Sequence, residues 1–361
     1  MGISKEYILK LLSEVQRIEG IVEYQEPDIV YIKQYNGTLH IIVYDRSDKA
    51  TLIGYGGYTI KELKKRLGMK NIVINTITDL IVKRLRILKV LKILDTIPKG
   101  NERLKYIVEN HLKPLLKAEL TYPPRKIPKI KEAKENLAVV ALSGGVDSTA
   151  TLYIAKSIGL NPIAVTVYPG PYIIPDNVKE WISKIVKTLN VPHVFLRPLM
   201  GYKQIINDTL AGRRMPCSTC NIIIGNTILK YAFENNIPLI IFGDALATSS
   251  RAVRMLKGNI ALRVNLPAAL SLTKYDTTSI TLSNVGEPPV TYAYGCPLLR
   301  IGMRKHRWMR FIAIERICRE ARAGILEPME ALRYIKNILK IPMEEHGEFK
   351  TWYYGCIGVD F

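Results

Sequence analysis

Ser143, Gly144, Gly145, Asp147 and Ser148 lie in the stretch SGGVDS, between the apolar, β-branched run LAVVAL and a helix-like pattern that begins at Ser148. A strand that ends in a glycine turn at a helix start is an anion site. Backbone N–H groups and the positive end of the helix dipole converge there on one point. Gly144 and Gly145 remove the side chains that would block an oxyanion, and the hydroxyls of Ser143 and Ser148 can donate to phosphate oxygens. Phosphate repels Asp147 unless a cation sits between them, which makes this carboxylate a candidate Mg²⁺ ligand. The turn has no Gly-Lys-Ser/Thr ending and no third spaced glycine, so it matches neither a Walker loop nor a Rossmann fingerprint. The bland alternative is a Ser-Gly turn that holds no phosphate.

Sulfur is the second chemistry the residues suggest. Cys217 and Cys220 stand two residues apart in RRMPCSTCNIIIGN, directly before a predicted helix, and Cys296 follows in YAYGCPLLR. The spacing turns the first two sulfurs toward one point, and a helix N-terminus favours thiolates. A metal, a cluster or a redox pair would each suit it, although structural zinc ordinarily takes four ligands. Of the five cysteines, Cys318 reads as a small core residue, and Cys356 as core or a persulfide carrier.

Elements that must position these groups follow from the patterning. From Leu137, strands and helices alternate through NPIAVTVY, VKEWISKIVKTLN, PHVFLRPL, a helix after Asn221, and IPLIIFGD. That rhythm predicts an α/β domain with a parallel sheet covered by helices, over residues 137–300. A basic helical region is expected at 301–361. TYPPRKIPKIKEAKEN reads as a basic linker over 121–136, preceded by an α+β domain over 1–120. In that first domain an amphipathic helix is followed by expected strands at GIVEYQ, IVYIKQ and LHIIVYD, with Asn36-Gly37 as a hairpin turn. Gly54-Tyr55-Gly56-Gly57 is read as lying between an apolar strand end and a basic helix that Gly68 closes.

The formal charge of +20, from 52 Lys and Arg against 32 Asp and Glu, predicts a polyanionic partner. A hydrophobic content of 48% excludes a mainly disordered chain. No apolar run is long enough to cross a bilayer, and the start MGISKEYILKLLSEVQ reads as an amphipathic helix, not a secretory signal. A soluble, cytoplasmic protein with no membrane partner is expected.

SGGVDS in its strand-turn-helix context resembles the PP-loop of the ATP pyrophosphatases, a HUP-like fold whose members bind ATP and adenylate a substrate with release of pyrophosphate. The resemblance implies that ATP and Mg²⁺ are bound by Leu142, Ser143, Gly144, Gly145, Asp147 and Ser148. It further implies that the adenine lies over the strand end at Val167, and that Gly243, Asp244 and Thr248 of FGDALATSS form a second contact. Where relatives often carry a pair of acids, this chain has Ala245 and Leu246.

With its cysteines the domain looks similar to tRNA 2-thiolation enzymes. In these, Cys217, Cys220 and Cys296 would hold a [4Fe–4S] cluster that delivers sulfur to an adenylated base. A persulfide relay pair or zinc are the alternatives, and a sulfur donor or sulfur-carrier protein is implied as a partner. Asp147 and these cysteines would be the catalytic residues. The N-terminal segment resembles a KH domain of the second topology, whose Gly-x-x-Gly loop clamps a nucleic-acid backbone. Gly54, Gly57, Lys61, Lys64 and Lys65 would then contact tRNA, together with Arg213 and Arg214 beside the cysteines and Lys305 and Arg307 of the tail. The oligomeric state is left open.

Overall fold

The computed structural model describes residues 3–18, 20, 24–97, 101–256, 260–289 and 294–343, and Cys356 lies outside them. Contacts divide the chain into two compact units, Met1–Lys89 with Leu116–Lys126, and Val90–Leu115 with Ile127–Phe361.

In the first unit, helix α1 (Lys5–Ile18) is followed by strands β1 (Ile29–Tyr35) and β2 (Thr38–Val43), helix α2 (Arg46–Ile53), helix α3 (Tyr58–Arg66), strand β3 (Asn71–Thr76) and helix α4 (Ile77–Leu94). The first hairpin turns at Asn36 and Gly37, both at positive φ, as the Asn-Gly pair predicts. β2 then pairs in parallel with β3. Ile8, Leu11 and Leu12 of α1 close the core with Leu39, Ile41 and Val43 of β2 and Leu52 of α2.

Two expectations are corrected here. Tyr24 and Gln25 of GIVEYQ form no strand, and residues 21–23 of that run lie outside the described residues. The apolar run before Gly54 is the end of helix α2, not of a strand. Asp45 caps that helix, and Asp48 returns a bond to the Asp45 amide, so a capping box overrides the β-like look of ATLI.

Short helices α5 (Glu102–Ile107) and α6 (Lys113–Glu119) lead to the second unit's sheet. Its strands are β4 (Ala138–Ala141), β5 (Ile163–Val167), β6 (His193–Leu196), β7 (Leu239–Phe242), β8 (Val253–Leu256) and β9 (Ala261–Asn265). They are ordered β6-β5-β4-β7-β9-β8, parallel except for the edge strand β8. β4 is buried on both faces, as a central parallel strand must be. Between and after these strands run α7 (Val146–Ser157), α8 (Asp176–Leu189), α9 (Lys203–Leu210), α10 (Cys217–Glu234), α11 (Leu266–Ala269), α12 (Lys274–Asn284), α13 (Pro297–Lys305), α14 (Arg307–Arg322) and α15 (Pro328–Leu339). The protein is thus α/β, with a predominantly parallel sheet as predicted. The chain reverses direction across the sheet at β4, whose neighbours are β5 and β7, and open α/β sheets bind ligands in the crevice at such a point.

Candidate active site

The loop after β4 is built as a closed turn. Gly144 has φ +79°, and a Cβ there would sit 3.0 Å from Val178 and 3.2 Å from Ile182 of α8, so only glycine fits. Trp181, buried on α8, donates from Nε1 to the Gly144 carbonyl at 3.0 Å and pins the turn. Ser148 donates to the Gly145 carbonyl at 3.0 Å, and its hydroxyl lies 3.1 Å from that of Ser143. The Ser143 amide also donates to Ser148 Oγ at 3.2 Å. Ser143 and Gly145 are exposed, whereas Ser148 is buried at the base of the turn. Leu142 and Val167 belong to the buried core, and the Leu142 amide donates to the Val165 carbonyl.

Gly243 at the end of β7 meets this loop from the next strand. A Cβ on it would lie 2.8 Å from the Ser148 amide nitrogen and 2.9 Å from its Cα. The glycine therefore lets β7 approach the first turn of α7 at backbone contact. Asp244 is exposed and accepts from the Leu246 amide at 3.1 Å, while Thr248 caps a short 3-10 turn over Ser249–Arg251.

α12 packs along α7 and supplies groups that the motif reading did not find. Lys274 Nζ lies 2.7 Å from Asp147 Oδ2, and Thr277 donates to Oδ1 at 2.6 Å. Thr281 donates to the Val146 carbonyl at 3.0 Å. Burial works to depress the Lys274 ammonium, but the charge and hydrogen bond of Asp147 outweigh it and raise its pKa above the ordinary lysine value. Both Asp147 oxygens are thus held by side chains of α12, and the carboxylate stays partly exposed. The available sequence signal was Thr273-x-x-Asp276, which forms a capping box and starts α12.

The sulfur residues lie on the same unit. α10 begins at Cys217, not after Asn221, because Pro216 starts it. Cys217 and Cys220 therefore share the first helical turn at i, i+3 spacing. Cys296 caps the start of α13 and packs against the same apolar clusters as Cys217 and Cys220. The Tyr202 hydroxyl lies 3.2 Å from the Cys220 sulfur. Burial pushes the Cys220 thiol up to about 11, and its effect is increased by the charges of Cys296 and Cys217. Burial also raises the thiols of Cys217 and Cys296. Against it, the Arg316 guanidinium of α14 acts on Cys217 by charge and hydrogen bond, and the Leu299 amide acts on Cys296.

Among the described residues no group of three His, Cys, Asp or Glu side chains is arranged to hold a metal ion. The three thiols suit iron–sulfur chemistry by type, but as placed they do not form the ligand set that a cluster requires.

α14 connects the two halves of the site. Arg316 Nε lies 3.6 Å from Glu320 Oε1, one helical turn on. Burial raises the Glu320 pKa, while Arg316 and Lys274 oppose the rise, and the charges of Asp147 and Asp244 add to it. Arg316 in turn feels Tyr294, Cys217, Glu320 and Asp244. Lys274 with Asp147 at the glycine turn and Arg316 with Glu320 on α14 are thus two ion pairs of the same unit. Sequence reasoning missed Arg316 and Glu320, which read as an ordinary surface pair on a basic helix.

The expected RNA contacts fall into two groups. Lys61, Lys64 and Lys65 are exposed on α3, and none has an ion-pair partner among the described residues. Arg213 and Arg214 pair with the buried Asp208 carboxylate at 2.7 and 3.3 Å while both side chains stay more than half exposed. Arg307 lies over the Phe311 ring, and Lys305 is also engaged. His306 donates from Nε2 to the Leu210 carbonyl at 2.9 Å and packs on Gly212. No helix is long and apolar enough to cross a membrane, among the described residues.

None of the known protein-family models matches the chain. A tRNA-5-methyluridine(54) 2-sulfurtransferase of Pyrococcus horikoshii is 29% identical over 146 residues, 40% of this chain and 43% of that enzyme. A tRNA-specific 2-thiouridylase of Clostridium tetani is 34% identical over 107 residues, 26% of this chain and 29% of that enzyme. The chain therefore spans less than half the length of either. Among solved structures, a U34-tRNA thiolase from Methanococcus maripaludis with its [4Fe–4S] cluster aligns with 69% of this chain and 80% of its own, at 14% identity and a TM-score of 0.34. A protein of Methanocaldococcus jannaschii described only as uncharacterized is 32% identical over 258 residues, covering 72% of this chain and 94% of that protein. With a match that runs almost from end to end of the Methanocaldococcus protein, the chain belongs to that protein's family.

Proposed function

We propose that this chain is a PP-loop enzyme that uses ATP to adenylate a base of tRNA and then exchanges the activated oxygen for sulfur. The base carbonyl oxygen attacks the α-phosphorus of ATP, and the bond to pyrophosphate breaks. A sulfur nucleophile next adds to the base carbon, and AMP leaves with the former carbonyl oxygen. The turn at Ser143–Gly145 and the first turn of α7 would bind the leaving pyrophosphate through backbone N–H groups, with Lys274 as the cation beside Asp147. Cys217, Cys220 and Cys296 would hold the sulfur.

One observation carries this reading. The Asp147–Lys274 pair at the glycine turn lies in the same unit as the Arg316–Glu320 pair, whose guanidinium acts on Cys217, which supports nucleotide and sulfur chemistry acting in one site. Two curated relatives named for tRNA sulfur transfer support the same class of reaction. In the first unit the order α1-β1-β2-α2-α3-β3, with Gly54–Gly57 between α2 and α3, supports a KH-like RNA-binding module. The test is AMP and pyrophosphate release with bulk tRNA and sulfide present, followed by mass spectrometry of the tRNA nucleosides. Asp147→Ala and Cys217→Ser should each abolish the thiolated nucleoside. Unchanged nucleosides with the wild-type protein, under anaerobic conditions that keep thiols reduced, would refute the proposal.

A further inference from the structure

The turn between α2 and α3 presents an aromatic ring where a phosphate clamp of the expected kind would present a cation. Tyr55 is 93% exposed, more than any other large hydrophobic or aromatic side chain described. Its ring has no partner among the described residues. The backbone that carries it is tightly specified. Gly54, Gly56 and Gly57 all have positive φ, at 70°, 60° and 76°, and a Cβ on Gly54 would lie 1.9 Å from Thr59 Oγ1. The Gly57 amide donates to the Gly54 carbonyl at 3.1 Å and closes the turn. Tyr58, the first residue of α3, is also exposed. Behind these rings α3 carries the three exposed lysines Lys61, Lys64 and Lys65.

An exposed apolar ring on a rigid turn has one physical use that also fits a basic surface, which is to stack on a flat, partly apolar group attached to a polyanion. We infer that Tyr55 is a stacking platform for an unpaired nucleobase of RNA, with the lysines of α3 holding the adjoining phosphates. This rests on the RNA-binding reading of the first unit and deepens it. Affinity would come from the base as well as the backbone, so the module would favour single-stranded or looped RNA over a closed duplex. The stacking part would persist as salt is raised, and the lysine part would fall with a log–log slope of about −2 for three phosphates.

The experiment uses the full chain and three fluorescent probes: a twelve-nucleotide oligouridine, the same oligomer lacking its bases, and a twelve-base-pair RNA duplex. Titration by anisotropy should give wild-type binding to oligouridine that is about five- to a hundredfold tighter than that of Tyr55→Ala. Tyr55→Trp should bind at least as well as wild type. The abasic oligomer should bind both proteins equally and weakly, and Lys61, Lys64 and Lys65 changed together to Ala should flatten the salt slope while keeping the Tyr55 effect. Since Tyr55 packs on nothing, its removal should leave the circular dichroism unchanged. Equal oligouridine affinity of wild type and Tyr55→Ala would overturn the inference while leaving RNA binding intact. Absence of binding by wild type to any of the three RNAs would instead remove the RNA-binding reading on which it rests.

Discussion

Replacing Lys274 by Ala tests whether the Asp147 carboxylate is held by a designed partner. The two groups meet at 2.7 Å, with their side chains 26% and 29% exposed. Losing one partner of a fully buried pair costs about 3–5 kcal/mol and an exposed pair about 0–1. A quarter-exposed pair falls between, at about 2 kcal/mol, and Thr277 keeps one hydrogen bond to the stranded carboxylate. For a unit of this size that corresponds to a melting point lower by about 4–8 °C. Differential scanning calorimetry on wild type, Lys274→Ala, Asp147→Ala and the double variant gives the coupling, expected at about 1–2 kcal/mol.

The pH dependence has a definite sign. Because the folded-state pKa of Lys274 is raised, its stabilisation is complete below the unfolded value of about 10.4 and is lost as pH rises through the higher folded value. The gap between wild type and Lys274→Ala should therefore stay constant from neutral pH to about pH 9 and close only in strong alkali. A Lys274→Ala protein that melts within about 1 °C of wild type, or additive single variants, would refute the argument.

Three further outcomes follow from the same geometry. Gly243→Ala should displace the first turn of α7, because the new Cβ meets the Ser148 backbone and not a movable side-chain tip. Calorimetry should show weaker binding of a non-hydrolysable ATP analogue and a stability loss of about 1–3 kcal/mol. Among the described cysteines Cys318 is exposed on α14 and not the core residue its helix pattern predicts, so it should react with Ellman's reagent at pH 7.5 well before Cys217, Cys220 and Cys296, whose thiols burial holds protonated. Mass-mapped labelling that finds Cys220 fastest would contradict this. The hydrogen bond from Arg213, helped by Gln204 and opposed by burial, keeps the Asp208 carboxyl below the usual carboxylate range. Its stabilisation is present above the unfolded pKa and lost as pH falls through the folded one, so Asp208→Asn should lie below wild type at pH 7 and converge with it in acid.

What the sequence disclosed, and what it did not, divides by the range of the interactions involved. The glycine turn was legible because its shape depends on adjacent residues, a strand end and a helix start that announce themselves locally. The Asn36-Gly37 hairpin and the end of α3 at Gly68 were legible for the same reason. α2 was misread because an eight-residue helix ending in Thr-Leu-Ile has weak periodicity, and the decisive Asp45–Asp48 box lies at its other end. Lys274, Arg316 and Glu320 could not be connected to Asp147 from their own surroundings, since the helices that carry them look polar and ordinary until packed. The pairing of Arg213 and Arg214 with Asp208 was not legible, because charge says nothing of a buried acid five residues before Arg213.

The distance along the chain between Asp147 and Lys274, 127 residues, bears on how the protein is made. A ribosome will have released the glycine turn and its neighbouring strands well before the partner of the carboxylate is synthesised, and Arg316 later still. The growing chain can thus form the glycine turn while both oxygens of Asp147 still lack the partners that hold them in the folded unit.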